Sequence, residues 1–306
     1  MRKGRWPFII TFLVPPIVLY VVFVLSPFIQ GIQISLTNWT GLTETFDYVG
    51  FQNYISLFQD AEWWHAVLNN VKLLIVIPIV TLVLSLVLAA LLTRGGTGGA
   101  RSGLAGSKFY RVVYFFPQVL PVVIVAIMFQ FIYSPQGGLM QKFFDLIGID
   151  MLKVIPNGPL GNQGFILWAI AFVAIWAAVG FYMVLFIAGM QQIPRELFEA
   201  AAIDGVSRSR MFFNLTVPLL WGHVQVAMVY IGIGTLDMFG LLSVMARNGL
   251  SADSGADVMA TQLYRTAFQG NSLFGYASAM ATMLLIFSLL LAVVTFRVTR
   301  REKIEY

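Results

Sequence analysis

The sequence contains no cysteine and two histidines in 306 residues. The first absence excludes disulfides, thiolate nucleophiles and cysteine-ligated metals, and the second argues against a multi-histidine metal site. Charge is scarce as well. Only 11% of residues are charged, against roughly 25% in an ordinary soluble domain. With 58% hydrophobic residues and a mean hydropathy of +0.81, this composition excludes a soluble globular protein. It also excludes a disordered chain, which requires low hydrophobicity and high charge. The net charge of +5 does not point to nucleic acid, because the basic residues are dispersed between apolar segments. Neither H-E-x-x-H nor G-x-S-x-G occurs, and no nucleophile–base pair or metal cluster is evident, so the chain shows no enzymatic chemistry of its own.

What the sequence does contain is long apolar runs. A helix needs about 20 apolar residues to cross a hydrocarbon core of roughly 30 Å. Six stretches qualify, near 8–30, 73–93, 112–133, 165–190, 211–236 and 276–296, and each lacks Asp, Glu, Lys and Arg. Runs of this length read as helices, because a helix satisfies its own backbone hydrogen bonds in lipid. The expectation is an all-α integral membrane protein with six transmembrane helices.

Lysine and arginine set the orientation. Fourteen of them lie before the first run, between the second and third, around the connection from fourth to fifth, and after the sixth; five (Lys72, Lys142, Lys153, Arg247 and Arg265) fall on the other side. The positive-inside rule therefore places both termini in the cytoplasm. The first run follows Arg2, Lys3 and Arg5 but is too long for a signal peptide. Pro15, Pro16 and Pro27 interrupt it, no small-x-small site closes it, and it reads as a retained helix.

The connecting segments differ in character. Outer residues 31–72 carry Trp39, Tyr48, Tyr54, Trp63 and Trp64, which suit a membrane–water interface. Within them Tyr54, Leu57, Phe58 and Ala61 recur at helical spacing and predict a short surface helix. Gly95, Gly96, Gly98 and Gly99 lack the order of a phosphate-binding loop and read as a flexible linker. Segments 134–164 and 237–275 have the Gly, Pro, Asn and Asp content of loops.

The connection 191–218 has more shape. Pro194 suits the first turn of a helix, where its missing N–H costs nothing. Residues 195–204 include good helix formers with three consecutive alanines, and Glu196 and Glu199 sit early, where the helix dipole favours them. Gly205 can take the left-handed conformation that ends a helix. Ser207 can then cap a second helix, and Pro218 marks a bend. Two readings stand: a connector that merely reverses the chain, or a docking element whose alanines permit close packing.

Glu199-Ala200-Ala201, then three residues, Gly205, then nine residues and Leu215-Thr216-Val217-Pro218 resembles the EAA motif of ABC importer permeases, EAA-x3-G-x9-I-x-L-P. Leu215 replaces Ile and Val217 replaces Leu, both apolar. Ile203-Asp204-Gly205 is typical of the carbohydrate branch. Val49-Gly50-Phe51-Gln52-Asn53-Tyr54 is similar to the family's outer VGxxNY segment. Residues 187–194 (IAGMQQIP) are similar to its LAGLQxIP lead-in, and Tyr264 to Phe268 and Gly275-Tyr276-Ala277 to its Y-x-x-A-F and G-Y-A. More narrowly, residues 114–119, 216–225 and the tail 300–306 look similar to actinobacterial permeases for N-acetylglucosamine or chitobiose.

The resemblance implies the type I ABC importer permease fold and a bacterial plasma membrane. It also divides the chain: residues 1–66 as an N-terminal helix and outer loop with a short interfacial helix, 67–298 as the importer transmembrane domain, and 299–306 as a cytoplasmic tail. In such importers two permease subunits, usually different, enclose the path. Two ATPase subunits lie beneath, and an extracytoplasmic sugar-binding protein delivers the substrate. ATP and Mg belong to the ATPase partner, and no cofactor is expected on this chain. Glu199, Ala200, Ala201, Asp204, Gly205 and Pro218 would form the ATPase-coupling element. For the sugar path the sequence offers Gln130, Trp176, Gln225, Tyr230 and Asp237. The aromatics fit either sugar stacking or core packing, His223 either a helix contact or a ligand, and Asp237 either the pathway or the interface. An ion-gradient-driven secondary transporter subunit is the alternative. That class usually shows repeated halves or intramembrane charge, and neither is evident here.

Overall fold

The computed structural model describes residues 5–41, 45–93, 106–246, 255–269 and 272–298. The glycine-rich linker at 95–99 and the tail 299–306 lie outside them. Among the described residues the secondary structure is helical, apart from one isolated bridge between Thr37 and Tyr48. The chain forms two compact units, Met1–Trp64 with Gln262–Phe287, and His65–Thr261 with Ser288–Tyr306.

In the first unit, α1 (Arg5–Tyr20) passes through a π-helical turn at Val21–Leu25 into α2 (Ser26–Ile34). Residues Phe8–Ile34 together are long and apolar enough to cross a membrane. Pro15 and Pro16 lie inside the helix without ending it. The short predicted surface helix is α3 (Gln52–Gln59), anchored by the fully buried Leu57; it holds Tyr54, Leu57 and Phe58 but stops before Ala61, which begins the next helix after an extended Asp60. Asn53 explains part of its position: its side-chain amide donates to the Ser35 and Thr37 carbonyls, both at 2.8 Å, and so caps the chain leaving α2. Gly275 is required nearby, because a Cβ there would lie 2.0 Å from the Thr37 carbonyl oxygen.

The second unit is built on α4 (Ala61–Leu92) and α9 (Ile166–Gln192), each long enough to span. They run parallel. The Ser85 hydroxyl donates to the Val179 carbonyl at 2.9 Å, and Thr93 reaches the Met190 sulfur at 3.3 Å where both helices end. Helix α4 is twelve residues longer at its start than the apolar run 73–93. Trp63, Ala66, Asn69 and Asn70 are buried there against the rest of the protein. The final span is α16 (Phe274–Val298).

Two of the six expected spans are not straight helices. The third, placed at 112–133, is α5 (Ser107–Val119) followed by α6 (Val122–Ile132), bent by 99°. The cause is local. Leu120 precedes Pro121, whose ring disfavours the α conformation in the preceding residue, and Leu120 is extended (φ −75°, ψ 137°). The fifth comprises α11 (Arg208–Met211), a π turn at Phe212–Thr216, α12 (Val217–Leu219) and α13 (Trp221–Leu236). Here the axis bends 71° at Leu220 (φ −84°, ψ 1°), two residues after Pro218. The remaining elements are α7 (Leu139–Leu146), α8 (Met151–Val154), α10 (Arg195–Ile203), α14 (Phe239–Met245) and α15 (Met259–Phe268).

One contact limits substitution most strongly. Helices α5 and α9 cross at Gly180, where a Cβ would lie 1.8 Å from the Tyr114 carbonyl oxygen. That neighbour is backbone and cannot rotate away. Overpacked cores typically lose about 1–3 kcal/mol, and Gly180→Ala is expected at or above the top of that range. Thermal unfolding of the purified chain in detergent checks it; an unchanged midpoint contradicts the crossing geometry.

Candidate functional site

Helix α9 ends because Ile193, which precedes Pro194, is extended (φ −71°, ψ 126°). Pro194 then occupies the N-cap of α10, one residue ahead of the expected first turn. Its extended ψ of 137° turns the chain before the new helix begins. Glu196 lies in the first turn, where the exposed N–H groups favour a carboxylate.

The other end closes as a Schellman motif. Asp204 is the C-cap, and Gly205 has φ +71°. The Gly205 N–H donates to the Ala202 carbonyl at 3.1 Å, and the Val206 N–H to the Ala201 carbonyl at 3.0 Å, which satisfies carbonyls the helix would otherwise leave open. Two residues on, the Ser207 hydroxyl accepts from the Arg210 N–H at 3.4 Å and caps α11. The short helix, glycine corner and capped second helix expected from the sequence are all present.

The unusual property of α10 is its exposure. None of its nine residues is buried. Glu199 and Ala200 are exposed, Ala201 is half-buried, and Asp204 and Gly205 are exposed. Ile203 is 87% exposed, a large aliphatic side chain at the tip of a helix that makes no core. In the sequence nothing distinguishes Ile203 beyond its place in the Ile-Asp-Gly run. Among the described residues the ion pairs are Lys153–Asp150 and Arg265–Glu62, so Glu196 and Glu199 have no cationic partner among those residues. A helix closed at its C-terminal end by a Schellman motif and with no buried residue is a surface feature. Small side chains, two carboxylates and one exposed aliphatic group make it suited to a complementary protein cleft.

The path residues do not gather in one place. Gln130 donates to the Val244 carbonyl and lines a cavity of about 210 Å³ with Tyr133, Ser134 and Asn157. Trp176 is half-buried and meets Phe129 edge to face at 5.2 Å between ring centroids. Gln225 is half-buried on α13. Tyr230, 68% exposed, and Asp237, exposed at the C-cap of α13, share a helical face with Val226 and Ile233, both also exposed. His223 packs where α9 and α13 approach: a Cβ on Gly189 would lie 2.8 Å from Leu220 and 3.1 Å from the His223 ring.

A pair of buried amides carries no mark in the sequence pattern. Asn69 donates to the Asp257 carbonyl at 2.9 Å, and the Asn70 oxygen accepts from the Met259 N–H at 2.8 Å. Together they tie the segment entering α15 to α4. Asn70→Leu leaves the Met259 N–H buried without an acceptor, a loss of about 1–3 kcal/mol. It should lower the unfolding midpoint and speed protease cleavage around residues 255–259, and unchanged cleavage counts against this role.

Comparison with known proteins gives a consistent picture. The description of binding-protein-dependent transport system inner membrane components matches residues 85–303. Over 297 residues the chain is 37% identical to the diacetylchitobiose uptake system permease protein NgcF of Streptomyces coelicolor, covering 97% of this chain and 83% of that protein. It is 30% identical over 297 residues to the multiple sugar-binding transport system permease protein MsmF of Streptococcus mutans, covering 96% of each. Among solved structures it is similar to a chain of the bacterial alginate ABC transporter in complex with alginate pentasaccharide-bound periplasmic protein. The TM-score is 0.82 at 21% identity, with 98% of this chain and 96% of that chain covered.

Proposed function

Since the chain belongs to the family of binding-protein-dependent transport system inner membrane components, we propose that it is the permease subunit of an ATP-driven sugar importer, coupled to a separate ATPase through α10. Its fold is that of a type I ABC importer permease. The protein is membrane-embedded, and in this reading both termini and α10 face the cytoplasm, as the distribution of lysine and arginine requires.

The observation that carries the proposal is the helix Arg195–Ile203, closed by a Schellman motif and with none of its residues buried. Ala200 and Ala201 let a partner surface approach closely, Ile203 inserts as an apolar contact, and Glu199 meets a basic group on the ATPase. Gly205 sets the corner, and Asp204 closes the helix beside it. The segment through Pro218 and the bend at Leu220 joins that corner to α13, so a displacement of α10 reaches the fifth span through continuous backbone. Shifting an inward-facing to outward-facing ratio from 1:99 to 99:1 takes about 5.5 kcal/mol of differential binding. Closure of an ATP-bound ATPase pair can supply it if the docked helix moves as a rigid body. ATP and Mg stay on that partner, and this chain performs no hydrolysis.

The assembly we infer has a second permease subunit of different sequence, two ATPase subunits and an extracytoplasmic sugar-binding protein. The relatives that handle diacetylchitobiose and multiple sugars support a saccharide, with an N-acetylglucosamine disaccharide as the favoured substrate. Tyr230 and Asp237, on the exposed face of α13, are the best-placed path residues; Gln130, Gln225 and Trp176 are the other candidates. Affinity purification of the full chain from native membranes tests the assembly. Recovery of an ATPase and a solute-binding protein that binds diacetylchitobiose supports it; a preparation with neither overturns it.

A further inference from the structure

His65, Asn69 and Lys72 recur at i, i+4 and i+7 and so share one face of α4. With Gln163 and Trp168 at the entry to α9, and the backbone of Gly255, they line a cavity of about 480 Å³. That size lies within the roughly 300–1,000 Å³ of small-molecule sites. None of its lining residues is acidic.

The cavity is a built one. Asn69 is 2% exposed, and its amide is held by the Asp257 carbonyl at 2.9 Å. Its oxygen accepts from the Lys72 ammonium at 3.2 Å, which aims Lys72 and leaves two of its three donors for a ligand. Gly255 has φ +73°, and a Cβ there would lie 2.3 Å from the Gln163 carbonyl oxygen, so two backbone segments close that wall with no room for a side chain. Trp168 is 41% exposed and presents a flat apolar ring.

Its location follows from the helices. The cavity lies where α4 and α9 begin, whereas α10 follows the end of α9, 27 residues later. At 1.5 Å per residue that is about 40 Å, more than the roughly 30 Å of a bilayer core. The cavity and α10 therefore lie on opposite faces of the membrane.

We propose that this cavity is an entry site for a saccharide, with Trp168 stacking on the apolar face of a sugar ring and Lys72, held by Asn69, donating to hydroxyl or acetamido oxygens. His65 and Gln163 supply further polar contacts at the rim. The proposal rests on the import reading, which places the cavity on the outer face, where the delivery protein releases its cargo.

Equilibrium dialysis of the full chain in nanodiscs against tritiated diacetylchitobiose and tritiated maltose tests it. Saturable binding of at least one sugar is expected, weakened about tenfold by Trp168→Ala and by Lys72→Gln, and largely retained by Trp168→Phe. Absence of saturable binding, or equal binding by wild type, Trp168→Ala and Lys72→Gln, overturns the site. Uptake by a strain lacking the chain is read separately. Undiminished uptake with binding intact removes the import reading and leaves the site, whereas lost uptake with no binding removes the site and leaves the import reading.

Discussion

Gly205→Val is expected to abolish sugar uptake while leaving the chain in the membrane and the delivery protein able to bind sugar. Gly205 sits at φ +71° in open space, with nothing within 4 Å of where a Cβ would lie. The cost is therefore conformational and local. An L-residue in the left-handed region loses about 1–2 kcal/mol, and a β-branched one is strained further. Rather than hold that conformation, the backbone relaxes, and the bonds from Gly205 and Val206 to Ala202 and Ala201 are lost together. The end of α10 then frays, and with it the rigidity that coupling demands. Because none of the nine residues of α10 is buried, the rest of the fold has little reason to respond. Transport assays on membranes with normal amounts of the variant check the prediction, and uptake near the wild-type rate contradicts it.

The second large effect concerns the energy source. In vesicles reconstituted with the partner subunits and delivery protein, uptake should require ATP inside the compartment that α10 faces. Collapse of ion gradients by ionophores should leave it intact. A secondary transporter subunit shows the reverse. Transport without ATP, driven by a proton or sodium gradient, would assign the chain to that class and leave α10 as a mere connector.

Much of this was readable because hydrophobicity and helix-end chemistry are local. Four of the six apolar runs coincide with helices long and apolar enough to span and two with bent helix pairs, since backbone groups in lipid have no partner outside their own segment or a neighbouring one. Likewise Pro194, Glu196, Gly205 and Ser207 act on residues within one turn, and the helix they predict is the helix present. The break at Leu120-Pro121 was legible in principle. However, an apolar run carries no record of direction, and the 99° bend leaves the hydropathy of 112–133 unchanged.

The start of α4 escaped for a different reason. Glu62, His65, Asn69 and Asn70 interrupt the apolar run, yet Asn69 and Asn70 satisfy partners almost 190 residues away in sequence. The same distance conceals the cavity: its i, i+4, i+7 face is visible on paper, but Trp168 and Gly255 reach it only through the fold. Trp176 shows the limit of reading an aromatic by type, since Phe129 already occupies one edge of its ring environment.

The absence of native cysteine makes a direct test of the coupling helix clean. Ala201→Cys or Ile203→Cys provides a single thiol at its exposed end, and a short bismaleimide can be added to native membranes containing the whole assembly. The account predicts a crosslinked product of this chain with the ATPase, formed from the inner face and altered in yield by ATP. Labelling of that thiol by a membrane-impermeant reagent from outside intact cells, or no ATPase adduct in the assembled complex, would contradict it.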